Sequence, residues 1–219
     1  MPSKNAVKEF DADAMYHVYN RGNNKRIIFF DERDYAVFLS FLKYALLSGD
    51  ESSAKDEVDT SLLSENKRFE LRRLGLAGKV DLVSYCLMPN HFHLQLYQYE
   101  SDAITKLMRS IATGYVMYFN KRYETNGSLF QGVYKASRIK DEGYFQHISR
   151  YIHLNPLDIS QQPDGYDYSS YKYYIGLAKA RWVKPQLGLA GMGDVEYARF
   201  VKEWILDRKK SKTKYLAAE

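Results

Sequence analysis

The chain has 219 residues, 45% of them hydrophobic and 15% aromatic, which is enough to bury one sizeable core and excludes both a disordered segment and a coiled coil. Its net charge of +5 is moderately basic, and the lone cysteine, Cys86, has no partner for an internal disulfide. Apolar runs fall far short of a membrane span and "MPSKNAVKEF" lacks a signal-peptide core, so the expectation is a soluble, cytoplasmic protein without a membrane partner.

Residues 15–20, "MYHVYN", alternate as a strand that the "RGNN" turn closes. From Asp31 to Leu47 apolar residues recur at helical spacing, with acids in the first turn. The polar, acidic stretch 48–66 has no period and reads as a mobile insertion, while "FELRRLGL" fits a helix or a strand equally. Residues 80–88 and 91–99 read as two strands meeting at Pro89-Asn90. Alternation on the second strand sends His91, His93, Gln95 and Tyr97 to one face, and Phe92, Leu94 and Leu96 to the other. The sheet should then offer a greasy face to helices and leave a polar face open.

Ser101 is the expected N-cap of a long helix running to Arg122, whose apolar stripe includes Tyr115 and Tyr118. "NGSLFQGVY" comes next as a turn and short strand. Residues 142–155 read as a helix that Pro156 stops, with Phe145, Ile148 and Ile152 on its buried side. His147, Tyr151 and Asn155 recur every four residues on a separate face. A further helix near 194–207 and the basic "RKKSKTKY" end the chain.

Two histidines at i and i+2 on a strand stand side by side, about 7 Å apart at the backbone, near enough to share an ion. An H-x-H of this kind is equally readable as two ordinary edge residues. No cysteine cluster or HExxH motif completes a structural or protease-type zinc site. An Asn or Gln oxygen with waters or phosphate oxygens would suit a harder ion, Mg2+ or Mn2+. The basic residues, among them Lys25-Arg26, Lys121-Arg122, Lys135, Arg138 and Lys140, often neighbour tyrosines and phenylalanines. That interleaving fits single-stranded nucleic acid as well as it fits an ordinary solvated surface.

"MPNHFHL" and, about sixty residues later, "RYIHLNP" resemble the single-tyrosine HUH transposases, and within them the REP-associated tyrosine transposases related to the insertion-sequence-200 type. "YHVYNRGNNKRIIFFDERDY", "GSLFQGVYKA" and "YDYSSYKYY" extend the resemblance over roughly residues 14–176, in the same order. The resemblance implies an α+β, ferredoxin-like (RRM-like) domain, an antiparallel sheet with helices packed on one face. It assigns residues 1–176 to that domain and leaves 177–219 as a C-terminal helical extension with a basic tail. It also implies His91 and His93 as metal ligands, Tyr151 as nucleophile and Asn155 as third ligand to a divalent Mg2+ or Mn2+. Attack by the tyrosine on single-stranded DNA near a hairpin or palindromic repeat would leave a 5′-phosphotyrosine and a free 3′-hydroxyl, in a monomer or homodimer. Arg21, Lys135 and Arg138 are candidate DNA contacts. Members usually carry an arginine where this chain has Val133, a departure that touches one basic contact. Two other readings stand beside it: a non-catalytic, domesticated hairpin binder, and a metal-dependent phosphodiesterase or RNA-binding protein. His147 could assist a proton transfer or serve the packing, and Asn155 could also act as a helix C-cap.

Overall fold

The computed structural model describes residues 10–47 and 61–216, so most of the insertion expected at 48–66 lies outside the described residues. Strand β1 (Ala14–Arg21) leads to helix α1 (Glu32–Leu46), then α2 (Glu65–Arg73), β2 (Val80–Met88), β3 (His91–Gln98), α3 (Ala103–Arg122) and β4 (Lys135–Ile139). Beyond the sheet come α4 (Phe145–His153), the short α5 (Tyr171–Tyr174) and α6 (Pro185–Leu189), and α7 (Asp194–Leu216). The strands form one antiparallel sheet in the order β2-β3-β1-β4, the arrangement of a ferredoxin-like α+β domain. "FELRRLGL", ambiguous by pattern, supplies most of α2, which Ser64 caps by accepting from the Lys67 N–H.

Alternation sorts the sheet into two faces. Tyr16, Val18, Phe92, Leu94 and Leu96 join the main core with Phe38, Phe41, Leu107, Ile111 and Tyr115 from α1 and α3. A β-bulge between Leu82 and Ser84 shifts the parity of β2, so Val80 and Leu82 before it and Tyr85 and Leu87 after it all reach this core. Helix α1 meets α3 at Asp34, a carboxylate with no exposed surface. It accepts from Arg122 Nη1 (2.7 Å), Tyr118 Oη (2.9 Å), Tyr123 Oη (2.8 Å) and the Phe30 N–H (2.8 Å). A buried carboxylate is tolerated only with this many donors. Tyr118, expected as plain core, is thus a half-buried donor. The cap of α3 is Asp102 rather than Ser101, and Gln98 Oε1 takes up the Ile104 N–H at 3.1 Å.

The polar face is not left open, as alternation alone suggested. Helix α4 lies across it, with Ile152 packed on Cys86 and Met88. Gln95, fully buried, accepts at Oε1 from Ser84 (2.8 Å) and Ser149 (2.7 Å), and its Nε2 donates to the Phe145 carbonyl. Helix α6 closes over the same place: a Cβ on Gly188 would collide with Tyr174 Oη, so only glycine permits the approach. His153, also fully buried, bridges Tyr197 Oη of α7 (2.8 Å) and Ser170 Oγ (2.7 Å). Trp182 and Val183 of the C-terminal region enter the main core.

Removing the Asp34 carboxylate by Asp34→Ala should cost about 2–4 kcal/mol in urea denaturation, because Tyr118, Tyr123 and the Phe30 N–H lose their acceptor while Arg122 keeps Asp31. Burial also draws the pKa of His153 down to about 3 and that of His17 to about 4. Unfolded imidazoles titrate near 6.5, so below that pH the unfolded chain binds protons that the folded chain refuses, and stability falls as the pH drops. Each such histidine should remove up to about 1.4 kcal/mol per pH unit between its unfolded and folded pKa. His153→Gln, which cannot ionise, should flatten that decline, as measured by unfolding free energy at several pH values.

Candidate active site

Six of the candidate site residues singled out by sequence, His91, His93, Tyr151, Asn155, Arg21 and Lys135, meet in one cavity of about 480 Å3, lined also by Tyr19, Gln131, Val133 and Asp158. The strands bring in the histidines. Met88 pairs with His91 across the Pro89-Asn90 turn, and the loop after β1 clamps that turn from outside. The Gly22 N–H donates to the Asn90 carbonyl (2.8 Å), and the Ile28 and Phe29 N–H groups both donate to the Pro89 carbonyl. A Cβ on Gly22 would strike the Arg26 carbonyl, so the clamp requires glycine there.

The two imidazoles lie 5.0 Å apart, centroid to centroid, and perpendicular. His91 Nδ1 is bonded to Asn90 Oδ1 at 2.6 Å, which fixes its proton on Nδ1. His93 Nδ1 lies 2.8 Å from His17 Nε2. With His93 donating there, each ring keeps an Nε2 lone pair for an ion. Burial pulls both pKa values below 6.5, strongly for His93, where His17, His91 and Arg21 add to the effect. Both rings are therefore neutral, the state in which histidine ligates.

Tyr151 comes from the last turn of α4, and its ring meets those of His93 (5.7 Å) and His17 (5.8 Å) edge to face. About half of the residue is exposed, so a strand can reach the phenol. Burial raises its pKa, and the Asp158 charge and Tyr19 add to the rise. Pro156 ends the regular helix, and the chain turns into a 3-10 segment, Asn155–Ile159. Asn155 Nδ2 caps the carbonyls of Tyr151 (3.0 Å) and Ile152 (3.2 Å), and its side chain lies beside His91 in the same cavity. The C-cap and the ligand reading are thus compatible in one residue. Among the described residues no group of three or more His, Cys, Asp or Glu is disposed to hold a metal. The donor set that fits a divalent ion is two neutral imidazoles with the Asn155 amide oxygen.

Lys135 stands over the Tyr19 ring at 6.0 Å and, with Arg21, makes one side of the cavity basic. Arg138 does not join them. Three residues beyond Lys135 on β4, it projects from the opposite face and pairs with Asp11. His147 faces away from the histidine pair, stacked on Tyr144 and bonded to Arg150. Sequence reasoning passed over His17 and Asp158. Alternation from Arg21 through Tyr19 gives the face of His17, whereas Asp158 carried no signal.

Residues 62–155 match the model of the family described as "Transposase IS200 like". No curated protein sequence matches the chain. Among solved structures, a REP-associated tyrosine transposase bound to a REP hairpin aligns over 81% of this chain and 95% of that one, with a TM-score of 0.51 and 10% sequence identity, a likeness of fold. Replacing His17 with Phe should leave the fold intact and weaken Mn2+ binding about tenfold to a hundredfold, read by calorimetric titration, because the hydrogen bond orienting His93 is lost. The likeness to the IS200-like transposases, first carried by "HFH" and "RYIHLNP", holds in sequence through residues 62–155, and a likeness of fold to a REP-associated tyrosine transposase extends over four-fifths of the chain.

Proposed function

We propose that this protein cleaves and rejoins single-stranded DNA through Tyr151, in a reaction that depends on a divalent metal. The observation that carries this reading is the convergence in one cavity of a half-exposed tyrosine, two neutral histidines whose Nδ1 atoms are already occupied, and an asparagine anchored through its amide nitrogen. With both Nδ1 atoms taken, the Nε2 atoms are the ones left for an ion, in a cavity that Arg21 and Lys135 also line. His91, His93 and Asn155 would hold Mg2+ or Mn2+, which would supply Lewis-acid polarisation of a phosphate oxygen.

The chain's own residues do the rest. Arg21 and Lys135 attract the phosphodiester to the basic side of the cavity. The exposed phenol takes the position for in-line attack, with its ring held against His93 and His17. The Tyr151 oxygen bonds to phosphorus as the phenol gives up its proton. The bond from phosphorus to the 3′ oxygen breaks, leaving a 5′-phosphotyrosine and a free 3′-hydroxyl. The new phosphotyrosyl bond is close in energy to the one it replaces, so attack by a second 3′-hydroxyl restores the phosphodiester without an external energy source. Burial makes ionisation of the Tyr151 phenol harder than that of a free tyrosine, so its attack needs help from substrate-bound charge.

The likeness to a transposase that holds a REP hairpin supports a hairpin-flanked target. Incubation with labelled hairpin oligonucleotides and Mn2+, then a denaturing gel, should give a covalent adduct that disappears in Tyr151→Phe. His91→Ala and His93→Ala should each slow adduct formation about a hundredfold or more. Cleavage without an adduct would indicate a water-using phosphodiesterase, and a mobility shift alone a binder.

A further inference from the structure

A second cavity, of about 520 Å3, lies on the far side of Tyr151 from the histidines, between α4 and α7. It shares Tyr151, Asn155 and Asp158 with the first and adds Tyr144, His147, Arg150 and Trp204. Its polar group of interest is Arg150. The guanidinium lies 3.8 Å from the centre of the Phe200 ring and its Nη2 is 3.1 Å from His147 Nδ1. No carboxylate among the described residues forms an ion pair with it. A half-buried cation on a ring face, with Asp158 in the same cavity but not ion-paired to it, is poised for an anion from outside. Tyr144, a large aromatic left 55% exposed, stacks on His147 at the rim, and Trp204 closes the opposite side. Aromatic faces around an arginine that no carboxylate pairs are the chemistry that takes a stacked base and its phosphate. The volume suffices for a nucleoside.

We propose that this cavity receives the unpaired nucleoside next to the scissile phosphate, its base between Tyr144 and Trp204 and the next phosphate on Arg150. The subsite rests on Tyr151 being the nucleophile only for its register, since the walls shared at Tyr151, Asn155 and Asp158 make the two cavities neighbours along a strand. It gives the C-terminal helix a part in substrate selection, because Trp204 and Phe200 belong to α7.

The test separates binding from chemistry by using full-length Tyr151→Phe, which forms no adduct. Of the two tryptophans, Trp182 is buried, so quenching by ligand reports Trp204. A mixed-sequence single-stranded oligodeoxynucleotide should quench the fluorescence saturably, and a fully abasic strand of equal charge should not. Trp204→Phe should abolish the signal, and in a filter-binding assay Trp204→Ala should weaken affinity for the base-bearing strand about five- to a hundredfold while leaving the abasic strand unaffected. Arg150→Gln should reduce the salt dependence of binding by about one phosphate contact. Equal quenching by the abasic strand, or equal losses for both strands in Trp204→Ala, would overturn the subsite. Absence of an adduct with unaltered protein would instead count against Tyr151 as nucleophile, whatever the quenching shows.

Discussion

The hydrogen bond between Gln95 and Ser149 fixes where everything else in the site can be. Gln95 sits two residues after His93 on β3, and Ser149 two residues before Tyr151 on α4. Joining them at 2.7 Å sets the phenol against the imidazole. Gln95 spends its remaining capacity on Ser84 and on the Phe145 carbonyl, so helix, strand and neighbouring strand share one amide. In a dry environment such a satisfied network is stiff, and loss of any member strands the others without partners. The helix carrying Tyr151 is thus seated by polar contacts, with Ile152 giving the apolar part and His153 tying its last turn to α7.

The charge arrangement is a consequence of that seating. The histidines are kept neutral because helix α4 and strand β1 shut out water, while Arg21 and Lys135 remain at the solvent edge. One carboxylate, Asp158, lines both cavities and is carried there by the 3-10 turn after Pro156. The site therefore combines neutral donors deep inside with two cations and one carboxylate at the solvent edge.

Much of this was legible in the chain. Period-two alternation over 91–98 and helical spacing over 103–122 are local properties, and they gave the strands, the long helix and the face of the His-Phe-His pair. The covering of the polar face was not legible, because it is made by Ser149, Gly188, Tyr174 and Ser170, residues with no period of their own. His17 acquires its role from the cross-strand neighbourhood of β1 and β3, a contact 76 residues apart in sequence. Arg138, three positions from Lys135 on β4, falls on the other face of the strand and pairs with Asp11, so it is not part of this cavity. The Ser101 cap failed by one residue, and Gln98 took over the buried Ile104 N–H.

The treatment of the sheet edges has a bearing on solubility. Strand β4, five residues long and carrying Lys135 and Arg138, is a poor template for a stranger's strand. The other edge, β2, is nine residues of mostly buried side chains, and the chain itself covers it: Ser169 bridges Cys86, Val183 bridges Leu82, and the Ser170 and Lys184 N–H groups take the carbonyls of Tyr85 and Leu82. A chain cut before these segments would present a long apolar edge with unpaired backbone groups, an invitation to intermolecular β-pairing. The segments C-terminal to the sheet thus also guard it against self-association.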